Sequence, residues 1–136
     1  MMNIKDIRDN YSIDYTKNLV SSEELKLLEE KINCKFGPML REYLLTYGYI
    51  GFESIEFYGI NSRQLERSSL ISKTIYLHKY FPKTIGFVAF ENQGEGDYYL
   101  VDEADKMFNY DSETDIFKEL KMNLLEYIIN RLEEGV

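Results

Sequence analysis

The sequence predicts an α+β fold, in which an N-terminal helical hairpin precedes an antiparallel β-sheet meander and a C-terminal helix. Apolar residues recur at helical spacing through residues 21–48 and again after residue 123. In the intervening part, most apolar residues alternate with polar ones or form short β-branched and aromatic runs, which are typical of strands. Helices on both sides of a run of strands indicate the α+β class.

The chain is predicted to form a single domain over residues 1–136. Its 136 residues fit one domain, and it contains no internal repeat, low-complexity tract or Pro/Gly-rich linker. Cys34 is the only cysteine, which excludes an internal disulfide and a cysteine-based zinc or redox centre. No apolar run is long enough to cross a bilayer and the first residues do not resemble a signal peptide, so we expect a cytoplasmic protein without membrane contact.

Helices are predicted at the start of the chain. Ile4 and Ile7 share one helical face and allow a short first helix. Ser21 and Glu24 form an S-x-x-E capping box, in which each side chain bonds the backbone N–H of the other residue. A helix is therefore predicted to begin at Ser21 and to run to Ile32.

A second helix is predicted from Pro38 to Gly48. Proline fits the first turn of a helix, where its missing N–H costs nothing, and glycine tolerates the left-handed conformation that ends many helices. Its apolar face consists of Leu40, Tyr43, Leu44 and Tyr47. Because a short loop joins the two helices, they are predicted to form a hairpin.

The middle of the chain is predicted to combine strands with one short helix. Residues 54–60 alternate at strand spacing, residues 61–69 are typical of a loop, and residues 72–80 favour a helix that ends before a proline. Residues 84–90 are β-branched and aromatic and predict a central strand. Residues 92–96 contain two glycines and predict a turn.

The rest of the chain is predicted to complete the meander and to add the last helix. Residues 97–102 predict the returning strand, and residues 106–110 and 115–120 predict a further hairpin. Asn123 is a good N-cap, and the apolar spacing that follows predicts a helix ending at Gly135.

The negative charge of the chain is concentrated in one segment. The whole chain has a formal net charge of -8, and residues 91–119 contain ten acidic residues against Lys106 and Lys118. The ten acids are Glu91, Glu95, Asp97, Asp102, Glu103, Asp105, Asp111, Glu113, Asp115 and Glu119. The segment is either a set of solvated turns or a surface that attracts a basic partner. Direct nucleic-acid binding is not expected, because it needs a basic footprint.

No motif in the sequence predicts a cofactor, a metal site or a catalytic residue. The turn from Gly94 to Gly96 lacks the following helix that a phosphate-binding loop needs. Carboxylate pairs such as Glu95 with Asp97, or Asp97 with Asp102, are compatible with a hard cation or with acid/base hydrolysis, but they do not match the EF-hand spacing. A carboxylate metal-dependent enzyme is therefore the least favoured hypothesis.

Nucleophilic catalysis is also not favoured. Cys34 lies at a predicted helix end, and His78 is distant from it in sequence, with no catalytic signature around either residue. Cys34 is expected to pack as a small apolar residue near Phe36, and His78 to lie at the surface or in packing contacts. We therefore expect that the protein is not an enzyme.

Several segments in a fixed order resemble one protein family. They comprise the capped acidic helix from Ser21, the run from Phe36 through Pro38 to Gly48, the turn and strand from Gly94 to Asp102, and two further short segments. The further segments are Phe108-Asn-Tyr-Asp111 and Asn123-Leu-Leu-Glu-Tyr127. Together they make residues 19–132 similar to the SMI1/KNR4 family of the SUKH superfamily.

The resemblance implies both a fold and a function. It implies an α+β domain in which helices flank an antiparallel sheet. Bacterial members of the family resemble immunity proteins, which protect the producing cell by binding a toxin domain that is often a nuclease. Eukaryotic members resemble regulatory scaffolds of cell-wall synthesis and signalling. The single-domain length favours the bacterial role, and the family is not known for catalysis.

The sequence thus predicts an immunity protein that neutralises a cognate toxin, in the favoured case a nuclease, through an acidic surface. A nuclease binds a polyanion, so its cleft tends to be basic, and an acidic surface speeds the encounter with it. The predicted partner-facing residues are Glu95, Asp97, Asp102, Glu103, Asp105, Asp111 and Glu113. The alternative is a non-catalytic regulatory or scaffolding module with an endogenous protein partner.

Overall fold

The computed structural model describes residues 2–16, 20–60 and 68–136, and it confirms the α+β class. The α-helices of these residues are α1 (Ile7–Asn10), α2 (Ser22–Ile32), α3 (Pro38–Thr46), α4 (Leu70–Tyr80) and α5 (Leu124–Glu134). The strands are β1 (Ile50–Phe52), β2 (Ile55–Phe57), β3 (Val88–Asn92), β4 (Asp97–Val101), β5 (Lys106–Asp111) and β6 (Ile116–Asn123). Short 3-10 turns lie at Ile4–Asp6 and Pro82–Thr84.

The strands form two antiparallel sheets. β1 and β2 make a small hairpin, and β3, β4, β5 and β6 make a four-stranded meander in that order. In a meander the first and third turns lie at one end of the sheet and the second turn lies at the other. Because β4 has five residues, the two ends are about 17 Å apart at the usual rise of a strand. This arrangement decides which acidic residues are neighbours.

Helices cover both faces of the four-stranded sheet. Adjacent strand residues point to opposite faces. Tyr99 packs against Tyr127 of α5 with ring centroids 5.4 Å apart. Tyr110, which is paired with Tyr98 and lies on the other face, packs against Phe81 just after α4 at 5.9 Å. The sheet therefore forms a layer between α5 on one face and the end of α4 on the other.

The predicted helix starts are confirmed. Ser21 and Glu24 form the capping box at the start of α2, and Asn123 with Glu126 forms another at the start of α5. Each box satisfies two backbone N–H groups that a helix leaves without partners. Gly48 has a φ of 74° just after α3, as expected for a residue that ends a helix.

Buried tyrosines connect the helices to the rest of the core. Tyr43 donates its hydroxyl to the carbonyl of Tyr58 at 2.9 Å, and Tyr47 donates to the carbonyl of Ile4 at 2.7 Å. Both rings are fully buried. A buried hydroxyl costs free energy unless it is hydrogen-bonded, so these contacts fix α3 against the N-terminal turn and against β2.

Two predicted segments differ from the structure. The predicted strand 54–60 is the second half of a hairpin, because the chain turns at Glu53 with a φ of 54° and β2 pairs back onto β1. The predicted strand 84–90 begins later, at Val88, because a 3-10 turn precedes it and Gly86 has a φ of 97°. Both differences arise from single residues in the left-handed region.

The predicted loop 61–69 falls mostly outside the described residues, since only its last two residues are described. Ser69 caps α4 by accepting from the backbone N–H of Ser72 at 3.1 Å, so α4 begins two residues before its predicted start. Ser69 is an N-cap of a favoured type.

Candidate partner-binding surface

Four of the predicted partner-facing residues lie together at one end of the meander. Glu95 and Asp97 belong to the β3–β4 turn and the start of β4, and Asp111 and Glu113 belong to the end of β5 and the β5–β6 turn. Asp97 and Asp111 are directly paired across the strands. We call these four residues the acidic edge.

Backbone contacts hold the two turns of the acidic edge together. The N–H of Ser112 donates to the carbonyl of Gly96 at 2.8 Å, and the Ser112 hydroxyl donates to the same carbonyl at 3.2 Å. Gly96 has a φ of 73°, and a Cβ there would lie 2.7 Å from the Ser112 hydroxyl. A glycine is therefore required where the two turns meet.

The carboxylates of the acidic edge differ in how they are held. Asp97 accepts from the Asn109 amide at 2.6 Å and from the Tyr99 hydroxyl at 3.4 Å. Asp111 accepts from the backbone N–H of Glu113 at 2.9 Å. Within the described residues, the carboxylates of Glu95 and Glu113 have no hydrogen-bond donor, and both side chains are exposed.

The acidic edge carries net negative charge that the protein does not neutralise. No ion pair of the described residues involves any of its four members. Like charges placed opposite each other on paired strands repel, so the arrangement costs some stability. A bound cationic surface would relieve that repulsion.

Asp115 lies in the same turn but is already paired. Tyr110 donates its hydroxyl to Asp115 at 2.5 Å, and the ammonium group of Lys83 lies 3.4 Å from the carboxylate. The hydrogen bond from Tyr110, followed by the contacts with Lys83, lowers the pKa of Asp115 below its ordinary value. Burial and the nearby Asp115 raise the pKa of Tyr110 to about 12. Asp115 therefore stays ionised with its charge offset.

Asp102 and Glu103 lie at the opposite end of the sheet, so the structure does not bring them together with the acidic edge. Asp102 accepts from the backbone N–H groups of Ala104 and Lys106, both at 2.9 Å, and so shapes the β4–β5 turn. Glu103 is exposed beside a groove of about 760 Å³, which it shares with Lys35 and other residues of α2 and the loop that follows it. The expectation of one continuous acidic face over the segment is thus wrong.

The prediction that Asp105 faces a partner is also wrong. Asp105 is only 4% exposed, and its carboxylate accepts from the backbone N–H groups of Met39 at 2.8 Å and Leu40 at 3.0 Å. Both N–H groups belong to the first turn of α3, where the helix itself supplies no acceptor for them. Pro38, in the same turn, has no N–H group. A Cβ at Gly37 would lie 2.4 Å from the carboxylate, so the glycine makes room for this contact.

The buried position of Asp105 has two opposite effects on its carboxylate. Burial raises the pKa of Asp105 above its ordinary value, although the backbone donors of Met39 and Leu40 act in the opposite direction. The carboxylate gives α3 the capping group that Gly37 lacks, and a negative charge there suits the helix dipole. Asp105 therefore connects the β4–β5 turn to α3.

We expect the Asp105→Ala variant to lose about 1–3 kcal/mol of unfolding free energy, because two buried N–H groups lose their acceptor. Urea denaturation followed by far-UV circular dichroism measures this loss. Glu103→Ala, two residues away and exposed, is the matched control and should change the free energy by no more than about 0.5 kcal/mol. Equal effects in the two variants would contradict the capping role.

A buried ion pair near the acidic edge was missed by the sequence analysis. Glu91 is 2% exposed, and it accepts from Arg131 Nε at 2.9 Å, from Arg131 Nη2 at 2.6 Å and from the Tyr127 hydroxyl at 2.5 Å. Gln93 in turn donates to the Tyr127 hydroxyl at 3.0 Å. The sequence contains one signal for this pair, because Glu91 directly follows the apolar run 85–90. A carboxylate at the end of a buried strand is itself expected to be buried, and a buried charge requires a partner.

The contacts with Glu91 favour the charged form of Arg131. The hydrogen bonds to Glu91 raise the pKa of Arg131 above its ordinary value, and burial together with Glu91 raises that of Tyr127. The pair joins β3 to α5, and its Gln93 contact reaches the turn that carries the acidic edge. The Glu91–Arg131 pair therefore helps to hold the β3–β4 turn of the acidic edge in position.

The alternative chemical sites of the sequence analysis are not assembled by the structure. Asp97 and Asp102 lie at opposite ends of β4, and in the described ranges no three residues of the ligating types His, Cys, Asp and Glu come together in a way that could hold a metal ion. Cys34 is buried, burial raises the pKa of its thiol, and both its Sγ and His78 Nε2 contact the carbonyl of Phe87. A thiol with a raised pKa is a poor nucleophile.

None of the helices in the described residues has the length and apolar character needed to span a membrane.

A protein-family model matches almost the whole chain. The SUKH_5 model, described as SMI1-KNR4 cell-wall, matches residues 2–133. The chain belongs to the SMI1-KNR4 family. A search of curated proteins found no match. In this SMI1-KNR4 protein the acidic edge is built by the first and third turns of the meander, and the sheet flanked by helices agrees with the fold implied by the resemblance.

Proposed function

We propose that this SMI1-KNR4 protein is an immunity-type protein, which binds and neutralises a cognate basic toxin, a nuclease in the favoured case, at the acidic edge. The observation that carries the proposal is the convergence of four carboxylates without ion-pair partners, within the described residues, on two turns that are hydrogen-bonded to each other. Family membership is consistent with this role. The proposal places the protein in the cytoplasm and assigns it binding without catalysis.

The charge at the acidic edge suits recognition of a basic surface. A rigid group of like charges raises the encounter rate with an oppositely charged protein and disfavours wrong partners. Rigidity matters because less side-chain and loop entropy is lost on binding. The contacts between Ser112 and Gly96 provide that rigidity.

Affinity requires more than charge, and aromatic residues lie next to the acidic edge. Tyr99 is partly exposed and donates to Asp97, and Tyr98 is partly exposed on the other face of the same strand. Tyrosine combines apolar contact area with a polar group and is common among residues that dominate binding energy. We propose these two tyrosines as anchors beside the charged group.

Co-expression tests the proposed function. A candidate toxin encoded beside this gene is expressed in a host with and without this protein. The proposal predicts that growth is rescued and that the two proteins co-purify. Absence of both rescue and complex would reject it.

A second candidate is a regulatory module that binds an endogenous protein, and the cell-wall description of the matched family model favours it. Gene neighbourhood separates the candidates. An adjacent gene for a large secreted toxin favours the immunity role, and a cell-wall or metabolic operon favours regulation.

A further inference from the structure

Exposed aromatic residues are concentrated on one side of α4. Tyr76 is 43% exposed, Tyr80 is 58% exposed, and the adjacent Ile75 is 38% exposed. Because Tyr76 and Tyr80 are four positions apart, they share one side of the helix, and their ring centroids lie 5.2 Å apart. Single exposed apolar residues are normal, whereas a contiguous group of them marks an interaction surface.

Ring contacts connect this side of α4 to the strands of the acidic edge. Tyr76 packs against Phe81 at 6.1 Å, and Phe81 packs against Tyr110 of β5 at 5.9 Å. Tyr110 is directly paired with Tyr98 of β4. Burial, followed by the proximity of Tyr76, raises the pKa of Tyr98, so Tyr98 lies beside the tyrosines of the helix. We call Tyr76, Tyr80 and Tyr98 the tyrosine face.

The tyrosine face and the acidic edge border the same end of the meander. Asp97 directly precedes Tyr98 on β4, and Asp111 directly follows Tyr110 on β5. Because adjacent strand residues point to opposite faces, the two carboxylates and the two rings lie on opposite sides of the sheet. Asn92, at the end of β3, hydrogen-bonds Tyr98 directly before the β3–β4 turn. A partner that covers this end of the sheet therefore contacts both surfaces.

The tyrosine face contributes contact rather than charge. α4 carries Lys73 and Lys79 and no acidic residue, so it does not add to the attraction of a basic partner. Lys79 Nζ lies 5.2 Å from the centroid of the Tyr80 ring, which shows that this ring accepts a cation. Tyrosine rings pack against apolar groups and against guanidinium or ammonium groups alike.

We propose that the tyrosine face is the second part of the surface that binds the basic protein attracted by the acidic edge. The acidic edge sets the rate of association, and the tyrosine face sets the rate of dissociation. Rim charges act mainly on association, whereas clustered aromatic residues dominate binding energy. The inference rests on the proposed function for the identity of the partner. A second copy of the chain fits less well, because a net charge of -8 on each copy opposes self-association.

Binding kinetics with the candidate toxin domain encoded beside the gene test the inference. Surface plasmon resonance measures both rates over a range of salt concentrations. Tyr80→Ala should raise the dissociation rate at least about tenfold, because the ring is lost from the contact. The association rate and its salt dependence should stay unchanged, because no charge is removed. Tyr80→Phe keeps the ring and should dissociate as slowly as the wild type.

Leu27→Ala on α2 is the matched control. Leu27 is an apolar side chain that is 64% exposed and belongs to neither surface, so its loss should change neither rate. Both alanine variants should keep the melting temperature of the wild type, since exposed substitutions have small effects on stability. An unchanged dissociation rate in Tyr80→Ala, or an equal increase in Leu27→Ala, overturns the inference.

The outcomes separate this inference from the proposed function. If the toxin domain leaves the wild type and Tyr80→Ala at the same rate, the inference fails and the proposed function stands. If the toxin domain forms no complex with the wild type, the proposed function fails and the inference fails with it. Sedimentation equilibrium of the protein alone covers the remaining occupant. A dimer that Tyr80→Ala dissociates would assign the tyrosine face to a second copy and would also overturn the inference.

Discussion

Glu91→Ala should lower the unfolding free energy by about 3–5 kcal/mol, the usual cost of removing one partner of a buried ion pair. The variant leaves the guanidinium of Arg131 facing a cavity and deprives the Tyr127 hydroxyl of its acceptor. Both groups are largely withdrawn from water, so solvent cannot replace the carboxylate fully. This is the largest stability effect that we expect from a single substitution.

Chemical denaturation of three variants measures this effect. Glu91→Gln keeps one acceptor and should lie between the wild type and Glu91→Ala. Glu134→Ala removes the exposed partner of Arg131 and should cost no more than about 1 kcal/mol. If Glu91→Ala is as stable as Glu134→Ala, the buried pair does not have the role that its geometry indicates.

Reversing two charges of the acidic edge should slow toxin association about 10- to 100-fold at low ionic strength. Glu95→Lys with Glu113→Lys is the appropriate double variant, because both side chains are exposed and neither accepts a hydrogen bond within the described residues. The fold should therefore be unaffected. The association rate of the variant should also lose its dependence on salt, since screening acts on the charge that has been removed.

The control for this experiment reverses two charges at the other end of the sheet. Glu30→Lys with Glu103→Lys changes the net charge by the same amount, and both residues are exposed beside the second groove. Stopped-flow mixing over a range of salt concentrations compares the two double variants. Equal slowing in both would show that total charge, rather than the acidic edge, governs association.

Local signals in the sequence predicted most of the helices. Ser21 and Asn123 are capping residues whose partners lie three positions later, so the information needed to start α2 and α5 is contained in four residues. The β1–β2 hairpin escaped prediction because its turn depends on Glu53, a residue type that seldom adopts a positive φ.

The site was only partly predictable. The sequence identified the acidic segment, and the meander order alone implies that the first and third turns meet. The meander order separates Glu95 and Glu113 from Glu103, although all three were predicted to lie on one surface. Asp105 could not be assigned, because its partners Met39 and Leu40 lie more than 60 residues away in the chain.

The ion pair of Glu91 with Arg131 could be predicted only in part from the sequence. A carboxylate beside an apolar strand indicates a buried partner, but the sequence does not say which of 16 lysines and arginines supplies it. Arg131 lies between the apolar positions Ile128 and Leu132 of α5, and only the packing of α5 on the sheet brings it to Glu91.

Amide chemical-shift mapping of the labelled protein with its toxin domain would most directly reveal where binding occurs. We predict that the largest changes cluster at residues 93–97 and 111–113, which form the two turns of the acidic edge. Changes concentrated instead at the β4–β5 turn or on α2, with the acidic edge unaffected, would contradict it.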